Sequence, residues 1–135
     1  TIGQLVERYK ADDLDVIVAV ESRGFLFGAP LAYELGKPIV PIRKPGKLPY
    51  RTHTEEYSLE YGKNTMEIHV DGILPDQKAL ILDDLLATGG TLAASARLVE
   101  KSGGSVAGIG VVIELNDLGG RKVLDGYDVF SILQY

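Results

Sequence analysis

The chain has 135 residues, of which 45% are apolar and 24% are charged, the proportions expected of one globular domain. Its 14 basic and 19 acidic side chains give a net charge of −5, so no overall positive field attracts nucleic acid or an anionic membrane surface. No apolar run approaches the roughly 20 residues of a membrane-spanning helix. Cysteine is absent, which excludes disulfides and cysteine nucleophiles and fits a reducing, cytoplasmic setting.

Helical and strand-like patterns alternate over the first part of the chain. Residues 2–10 and 25–35 repeat apolar side chains at helical spacing, and Gly36 can end the second helix. Residues 16–20 and 39–42 are short, continuous apolar runs, a pattern typical of strands that are buried on both faces of a parallel sheet. We therefore predict two helices and two strands in this region.

A polar segment and a hairpin pattern follow. Residues 43–54 are polar and basic and contain two prolines, which predicts an irregular, mobile segment. Residues 57–61 and 65–70 alternate apolar and polar side chains, and residues 62–64 can form a turn between them. The pattern predicts a β-hairpin.

The rest of the chain returns to alternating elements. Strand patterns cover residues 79–82, 106–114 and 129–133, and helical patterns cover residues 91–102 and, briefly, 119–124. This order predicts a one-domain α/β fold with a mainly parallel, twisted sheet flanked by helices. Because ligands bind outside the carboxyl ends of such strands, the polar residues that follow each strand are the first candidates for a site.

The stretch ALILDDLLATGGTL, residues 79–92, carries the most specific signal. In it a buried strand ends in Asp83 and Asp84, and the small-residue loop 88–91 opens a helix. Backbone N–H groups at a helix N-terminus bind a phosphate monoester, while carboxylates suit vicinal hydroxyls or a hydrated Mg²⁺ ion. A ribose 5-phosphate presents both groups. The alternative is that Asp84 or Thr88 only caps the helix.

This stretch resembles the phosphoribosyl-pyrophosphate (PRPP) motif of type I phosphoribosyltransferases. The resemblance implies that Asp83 and Asp84 hold the ribose 2′- and 3′-hydroxyls. It implies a 5-phosphate site formed by five consecutive residues, Ala87, Thr88, Gly89, Gly90 and Thr91. It also implies the type I phosphoribosyltransferase fold, with a flexible lid hairpin, over residues 1–135.

Four further segments narrow the resemblance. Residues 21–32, 41–49, 57–71 and 113–121 are similar, in order and spacing, to segments of adenine phosphoribosyltransferases. The resemblance then implies a homodimeric enzyme of purine salvage that converts adenine and PRPP to AMP and pyrophosphate. Phosphoribosyltransferases for hypoxanthine, guanine or xanthine remain an alternative, although they commonly place a lysine where residues 114–120 have none. A non-catalytic sensor of PRPP or nucleotides is another, although it normally needs an appended domain.

The resemblance places the leaving pyrophosphate between two segments. Ser22, Arg23 and Gly24 match the family's pyrophosphate loop, which often contains a non-proline cis peptide, and an arginine there can bind two oxygens at once. Residues 43–51 contain four cations and no acid, which suits a lid that closes over a polyanion. The predicted contacts from this lid are Arg43, Lys44 and Lys47. The alternatives are that Arg23 is a surface arginine in a salt bridge and that the lid is a solvated loop.

The base side of the site rests on the resemblance alone. Glu60 matches the carboxylate that acts as acid/base near N7 of adenine, whereas by itself it is an ordinary surface strand residue. Leu118 and Tyr61 are the predicted neighbours of the purine. The expected cofactor is Mg²⁺, held by pyrophosphate, ribose oxygens and water, with Asp83 or Asp84 acting through water rather than as direct ligands.

The start of the chain adds one expectation. It opens at Thr1 without methionine and enters a helical pattern at once. The family carries a further segment upstream, part of which covers the adenine. We expect that segment to be absent here, with PRPP binding retained and adenine binding weakened.

Overall fold

Strands and helices alternate along the chain, as the sequence predicts. The computed structural model describes residues 1–59 and 61–135. The elements in chain order are α1 (Ile2–Tyr9), β1 (Val16–Val20), α2 (Phe25–Leu35), β2 (Ile39–Ile42), β3 (Thr52–Leu59), β4 (Gly62–His69), β5 (Lys78–Leu86), α3 (Gly90–Lys101), β6 (Ser105–Glu114), a 3₁₀ turn (Asn116–Leu118), α4 (Gly120–Val123) and β7 (Val129–Gln134). Five strands form one parallel sheet in the order β2-β1-β5-β6-β7, and β3 and β4 form a separate antiparallel hairpin.

The interior strand β1 is apolar throughout because both faces of the sheet are covered there. In β1, the side chains of Val16, Val18 and Val20 enter one core with α3 and the hairpin, whereas Ile17 enters a second core with α1 and α2. Every residue of β1 is buried. Full burial of a valine or isoleucine side chain stabilises the fold by about 2 kcal/mol, so the alternating contacts of one short strand fix both layers on the sheet.

The hairpin docks on α3, next to the carboxyl end of β5. Its strands pair from Thr52 with His69 to Leu59 with Gly62. Two basic residues of α3 hold it from the side, since Arg97 donates to the Glu56 carbonyl at 3.1 Å and Lys101 donates to the Thr54 carbonyl at 2.9 Å. At the other end of α3, the Thr91 hydroxyl donates to the Tyr57 hydroxyl oxygen at 2.9 Å, so the hairpin lies along the helix from its start to its end.

Three predicted boundaries are wrong. β5 does not end at the two acids but continues to Leu86, because its neighbour β6 is long enough to pair with it up to Glu114. The hairpin turn does not lie at residues 62–64, since Gly62 pairs with Leu59 within the ladder. The irregular segment ends before Thr52, where β3 begins. None of the helices in the described ranges is long and apolar enough to cross a membrane.

Candidate functional site

A cavity of about 370 Å³ opens at the carboxyl ends of the neighbouring strands β1 and β5. Its walls come from the loop after β1, the last residues of β5, the start of α3 and the inner face of the hairpin. The predicted site residues that line it are Ser22, Arg23, Lys44, Asp83, Asp84, Ala87, Thr88, Gly89, Gly90 and Thr91. The structure therefore brings most of the predicted site together in one place.

The loop 87–91, here called the phosphate loop, is shaped by close approaches that exclude side chains. Gly89 has φ of +90°, and a Cβ atom there would lie 2.9 Å from the Gly120 carbonyl oxygen. A Cβ on Gly90 would lie 2.8 Å from the ring of Tyr57. The first N–H groups of α3 have no partners within the helix, and they carry the positive end of its dipole. The loop can therefore bind an anion through its backbone.

Two carboxylates and one arginine form the centre of the cavity. The N–H of Asp84 donates to Asp83 Oδ1 at 2.8 Å, and Arg23 Nε donates to Asp84 Oδ2 at 2.5 Å. Burial, followed by the hydrogen bond shared with the Asp84 side chain, raises the pKa of Asp83 to about 8. The nearby Arg23 opposes this rise only in part. Asp83 is thus a carboxyl group that a bound cation would drive to its ionised form.

Replacing Asp83 by asparagine is expected to change how stability depends on pH. The folded protein holds the Asp83 proton from its ordinary pKa of 3.8 up to about 8, whereas the unfolded chain releases it at the lower value. The contribution of Asp83 to the free energy of unfolding of the unmodified chain therefore falls as pH rises through this window. We expect the melting temperature of Asp83→Asn, relative to the unmodified chain, to rise between about pH 5 and about pH 9.

Asp13→Asn is the matched control for this measurement. Asp13 is exposed and paired with Lys78, and the hydrogen bond from Lys78 lowers its pKa. Its ionised carboxylate therefore favours folding. The melting temperature of Asp13→Asn, relative to the unmodified chain, is expected not to rise with pH. A pH-independent difference for Asp83→Asn would contradict the assignment.

The loop after β1 holds three of the predicted pyrophosphate residues, Ser22, Arg23 and Gly24. The peptide bond between Glu21 and Ser22 is cis. Ser22 and Arg23 are exposed to the cavity, but Gly24 is buried beneath them and does not line it. A Cβ at Gly24 would lie 2.5 Å from the Val20 carbonyl oxygen. Gly24 therefore lets the loop pack on the sheet, and the structure assigns it no ligand-facing atom.

The lid, residues 43–51, places its cations unequally. Lys44 lines the cavity. Arg43 and Lys47 do not, because both pair with the carboxylate of Glu21 at 2.6 and 3.0 Å. Glu21 itself lines the cavity, although its side chain is only 4% exposed.

Two of the three predicted base-side residues, Tyr61 and Leu118, do not line this cavity. Tyr61 is 94% exposed and Leu118 is 49% exposed, and neither is among the lining residues. Glu60, the predicted acid/base, lies outside the described residues. These three assignments thus remain predictions from the sequence.

Sequence reasoning missed three residues of the walls, which are Tyr57, Asn64 and Glu21. Tyr57 lies over the phosphate loop and its hydroxyl oxygen accepts a hydrogen bond from Thr91 Oγ1 at 2.9 Å. Asn64, opposite Tyr57 in the hairpin, donates to the same hydroxyl at 3.3 Å. Both lie in the predicted hairpin, but its wrong turn position hid their pairing. Glu21 was also unassigned, although it directly follows a buried strand.

Comparison with known proteins gives a consistent family. The chain matches the phosphoribosyl transferase domain over residues 2–134. It is 56% identical over 134 residues to adenine phosphoribosyltransferase of Desulfitobacterium hafniense. That match covers 99% of this chain and 78% of the Desulfitobacterium protein. The adenine phosphoribosyltransferase structure from Thermoanaerobacter pseudethanolicus matches with a TM-score of 0.97 and 54% identity, over 99% of this chain and 78% of that one.

A solved complex extends the comparison. Adenine phosphoribosyltransferase from Saccharomyces cerevisiae, complexed with D-2,5-dideoxy-2,5-imino-altritol 1,6-bisphosphate and adenine, matches with a TM-score of 0.89 and 41% identity. That match covers 96% of this chain and 73% of the yeast chain. The parallel sheet, the separate hairpin and these similarities agree, and the chain belongs to the phosphoribosyltransferase family, within it to the adenine phosphoribosyltransferases.

Proposed function

We propose that this chain holds PRPP across the cavity and transfers its 5-phosphoribosyl group to adenine, giving AMP and pyrophosphate as a pentosyltransferase of purine salvage. The observation that carries the proposal is one cavity in which an anion-binding loop, two acids and an arginine meet. PRPP presents a phosphate, a diol and a pyrophosphate in that order, and the cavity offers a suitable partner for each.

The 5-phosphate is assigned to the phosphate loop. Gly89 and Gly90 expose its backbone, and the hydroxyl groups of Thr88 and Thr91 stand beside it. The ribose 2′- and 3′-hydroxyls are assigned to Asp83 and Asp84, which can accept their protons in hydrogen bonds. In this arrangement Asp84 exchanges its contact with Arg23 for the sugar, so the guanidinium becomes available to the leaving group.

The pyrophosphate is assigned to the loop after β1 and to the lid. Arg23 and Ser22 face the cavity directly, and Lys44 faces it from the lid. Arg43 and Lys47 do not line the cavity, but both are paired with Glu21, which does, so we assign them to the edge of the leaving-group site. Negative charge accumulates on pyrophosphate as the bond to ribose C1 breaks, and fixed cations stabilise that charge in the transition state.

The chain's residues fit a Mg²⁺ ion that is bound largely through substrate and water. Within the described residues there is no group of three or more side chains able to ligate a metal, so the protein would supply few direct ligands. Asp83 and Asp84 lie side by side and would hold the ion's water, and burial makes Asp83 receptive to a cation. When bound, Mg²⁺ neutralises charge on the leaving pyrophosphate.

The base side is proposed from the family resemblance. Glu60 manages the proton at adenine N7 while the N-glycosidic bond forms, and Leu118 and Tyr61 lie beside the purine. Glu60 lies in sequence between β3 and β4, and the proposal for it rests on the family resemblance alone.

We also propose a cytoplasmic homodimer. The outer face of α2 carries an exposed stripe of Leu26, Ala29 and Tyr33 at helical spacing. Apolar stripes of this kind are unusual on the surface of a monomer, and a second copy of the chain would cover this one. The absence of cysteine agrees with a reducing compartment.

Initial rates with PRPP, Mg²⁺ and a panel of bases test the proposed function. We expect the purified chain to turn over adenine in preference to hypoxanthine and guanine by more than about a hundredfold in kcat/KM, because a base site built from fixed hydrogen-bonding groups rejects the wrong pattern of donors. Preferential turnover of a 6-oxopurine would contradict the proposal. PRPP binding without turnover of any base would favour the non-catalytic alternative.

A further inference from the structure

Glu21 is a buried carboxylate at the mouth of the cavity that the mechanism above does not use. It directly follows β1, and its backbone N–H donates to the Ile42 carbonyl at 2.8 Å, which fixes it at the junction of β1 and β2. Its side chain is almost fully covered yet lines the same cavity as Arg23 and Asp84. Burying a carboxylate costs free energy of folding unless its charge is paired, so the groups that pair with Glu21 indicate its role.

Both oxygens of Glu21 are bound by lid cations. Arg43 Nε donates to Oε1 at 2.6 Å, and Lys47 Nζ donates to Oε2 at 3.0 Å. Burial by itself would raise the pKa of Glu21, but the hydrogen bonds from Lys47 and Arg43 lower it. Glu21 thus remains ionised at neutral pH. One negative charge serves two positive ones, and the three side chains together keep a net charge of +1.

The pairing leaves the cations able to bind a second anion. Arg43 contacts Glu21 through Nε alone, so the N–H groups of its two Nη atoms remain for other acceptors. Its guanidinium also lies over the ring of Phe25, 5.9 Å from the centroid, which restricts its orientation. Among residues 1–59 and 61–135, Lys47 Nζ makes one hydrogen bond, so two of its three N–H donors remain for other acceptors. An anion between them would meet donors that are already oriented.

The backbone of the lid is held separately, by Glu67. The Gly46 N–H donates to Glu67 Oε1 at 3.1 Å, and the Thr52 hydroxyl donates to Glu67 Oε2 at the same distance. Arg43 also pairs with Glu67 through its backbone. Because the path of the lid has its own anchor, the contacts of Glu21 act on the two cationic side chains.

We propose that Glu21 is a positioning residue that orients Arg43 and Lys47 for the pyrophosphate of PRPP. This inference rests on the proposed role of those two cations in the leaving-group site. Long basic side chains lose conformational freedom when they bind, and ordering them beforehand reduces that loss. The opposite possibility is that Glu21 competes with pyrophosphate for the same donors. Loss of the Glu21 charge would weaken the binding of PRPP and pyrophosphate if Glu21 positions the cations, and would strengthen it if Glu21 competes.

Steady-state kinetics of Glu21→Gln separate these possibilities. The substitution keeps the shape of the side chain and removes its charge. We expect KM for PRPP and the inhibition constant of pyrophosphate to rise about tenfold, the size of one charge-assisted hydrogen bond, with kcat and KM for adenine changed less than about twofold. Tighter binding of pyrophosphate, or an unchanged KM for PRPP, would overturn the proposal. Asp13→Asn makes the same change in net charge at the opposite end of the sheet and should leave both constants unchanged.

A second comparison identifies the route of the effect. In an Arg43→Gln/Lys47→Met background, adding Glu21→Gln should change KM for PRPP by less than about twofold, because the side chains it orients are gone. An undiminished tenfold loss in that background would overturn the positioning role alone. If Arg43→Gln/Lys47→Met itself leaves KM for PRPP unchanged, the proposed role of the lid cations fails and the inference falls with it.

A shorter carboxylate keeps the test decisive if Glu21→Gln does not fold. Glu21→Asp retains the charge but withdraws the oxygens by one methylene from both cations. It is expected to raise KM for PRPP with little change in kcat or melting temperature. A KM for PRPP equal to that of the unmodified chain would overturn the proposal.

Discussion

Gly89→Ala is expected to lower kcat/KM for PRPP by about a hundredfold or more, the loss that follows when a reacting group is displaced by about 1 Å. Gly89 has φ of +90°, which side-chain-bearing residues rarely adopt. An added Cβ would also lie 2.9 Å from the Gly120 carbonyl oxygen and 3.1 Å from the Val123 Cβ atom. Since α4 lies behind the loop, the loop itself must move, and its N–H groups would move with it. Initial rates at varied PRPP concentration measure the loss.

Gly126→Ala is a close control for this substitution. Gly126 has φ of +94°, nearly the value at Gly89, but a Cβ there would meet nothing within 4 Å. It should therefore carry the conformational cost, about 1 kcal/mol of stability, without any displacement of the site. Equal kinetic losses in the two variants would mean that general destabilisation, and not the shape of the phosphate loop, explains the effect.

Glu60→Gln is expected to lower kcat by about 10²–10⁴-fold, the usual contribution of general acid–base catalysis, while KM for PRPP changes little. The carboxylate is proposed to act on the proton at N7 of adenine, which lies away from the phosphate, diol and pyrophosphate groups of PRPP. Its amide isostere keeps the size of the side chain but cannot exchange that proton. Single-turnover rates with saturating PRPP and adenine would isolate the chemical step.

Glu56→Gln provides the comparison within the same hairpin. The Glu56 side chain is exposed, and its ion pair with Lys63 is long, at 3.8 Å. Surface pairs of this kind contribute little, so this variant should retain nearly full activity. The Glu56 carbonyl, which accepts from Arg97, is unchanged by the substitution. Unaltered turnover in Glu60→Gln would exclude the acid/base role.

Much of the fold follows from local pattern in the sequence. The apolar runs that became β1 and β2 and the helical pattern that became α2 have the predicted bounds. In β1 every residue is buried, which leaves little freedom in its composition. The points at which strands end are harder to predict, because they depend on partners distant in sequence. β5 extends to Leu86 only because β6 pairs with it there, and no local signal carries that information.

In the candidate site too, features that are local in sequence can be predicted and contacts between distant residues cannot. The two acids and the phosphate loop lie close together in sequence, within residues 83–91, and their chemistry can be predicted from residue type and order. The contact of Tyr57 with Thr91 joins residues 34 positions apart, and the pairing of Glu21 with Lys47 joins residues 26 apart. Such contacts depend on how the layers pack, so the sequence shows candidate partners but does not show which of them meet.

The adjacency of β1 and β5 has a consequence for how the site is held together. Arg23 and Asp84 are 61 positions apart in sequence, yet Arg23 lies in the loop after β1 and Asp84 lies near the end of the neighbouring strand β5. Hydrogen-bonded strands lie about 4.8 Å apart, so the pairing of β1 with β5, and not the length of the chain between them, brings the two residues together. The sheet thereby keeps the arginine proposed for the pyrophosphate next to an acid proposed for the ribose. Insertions in the connecting segments can change what covers the site without changing that pairing.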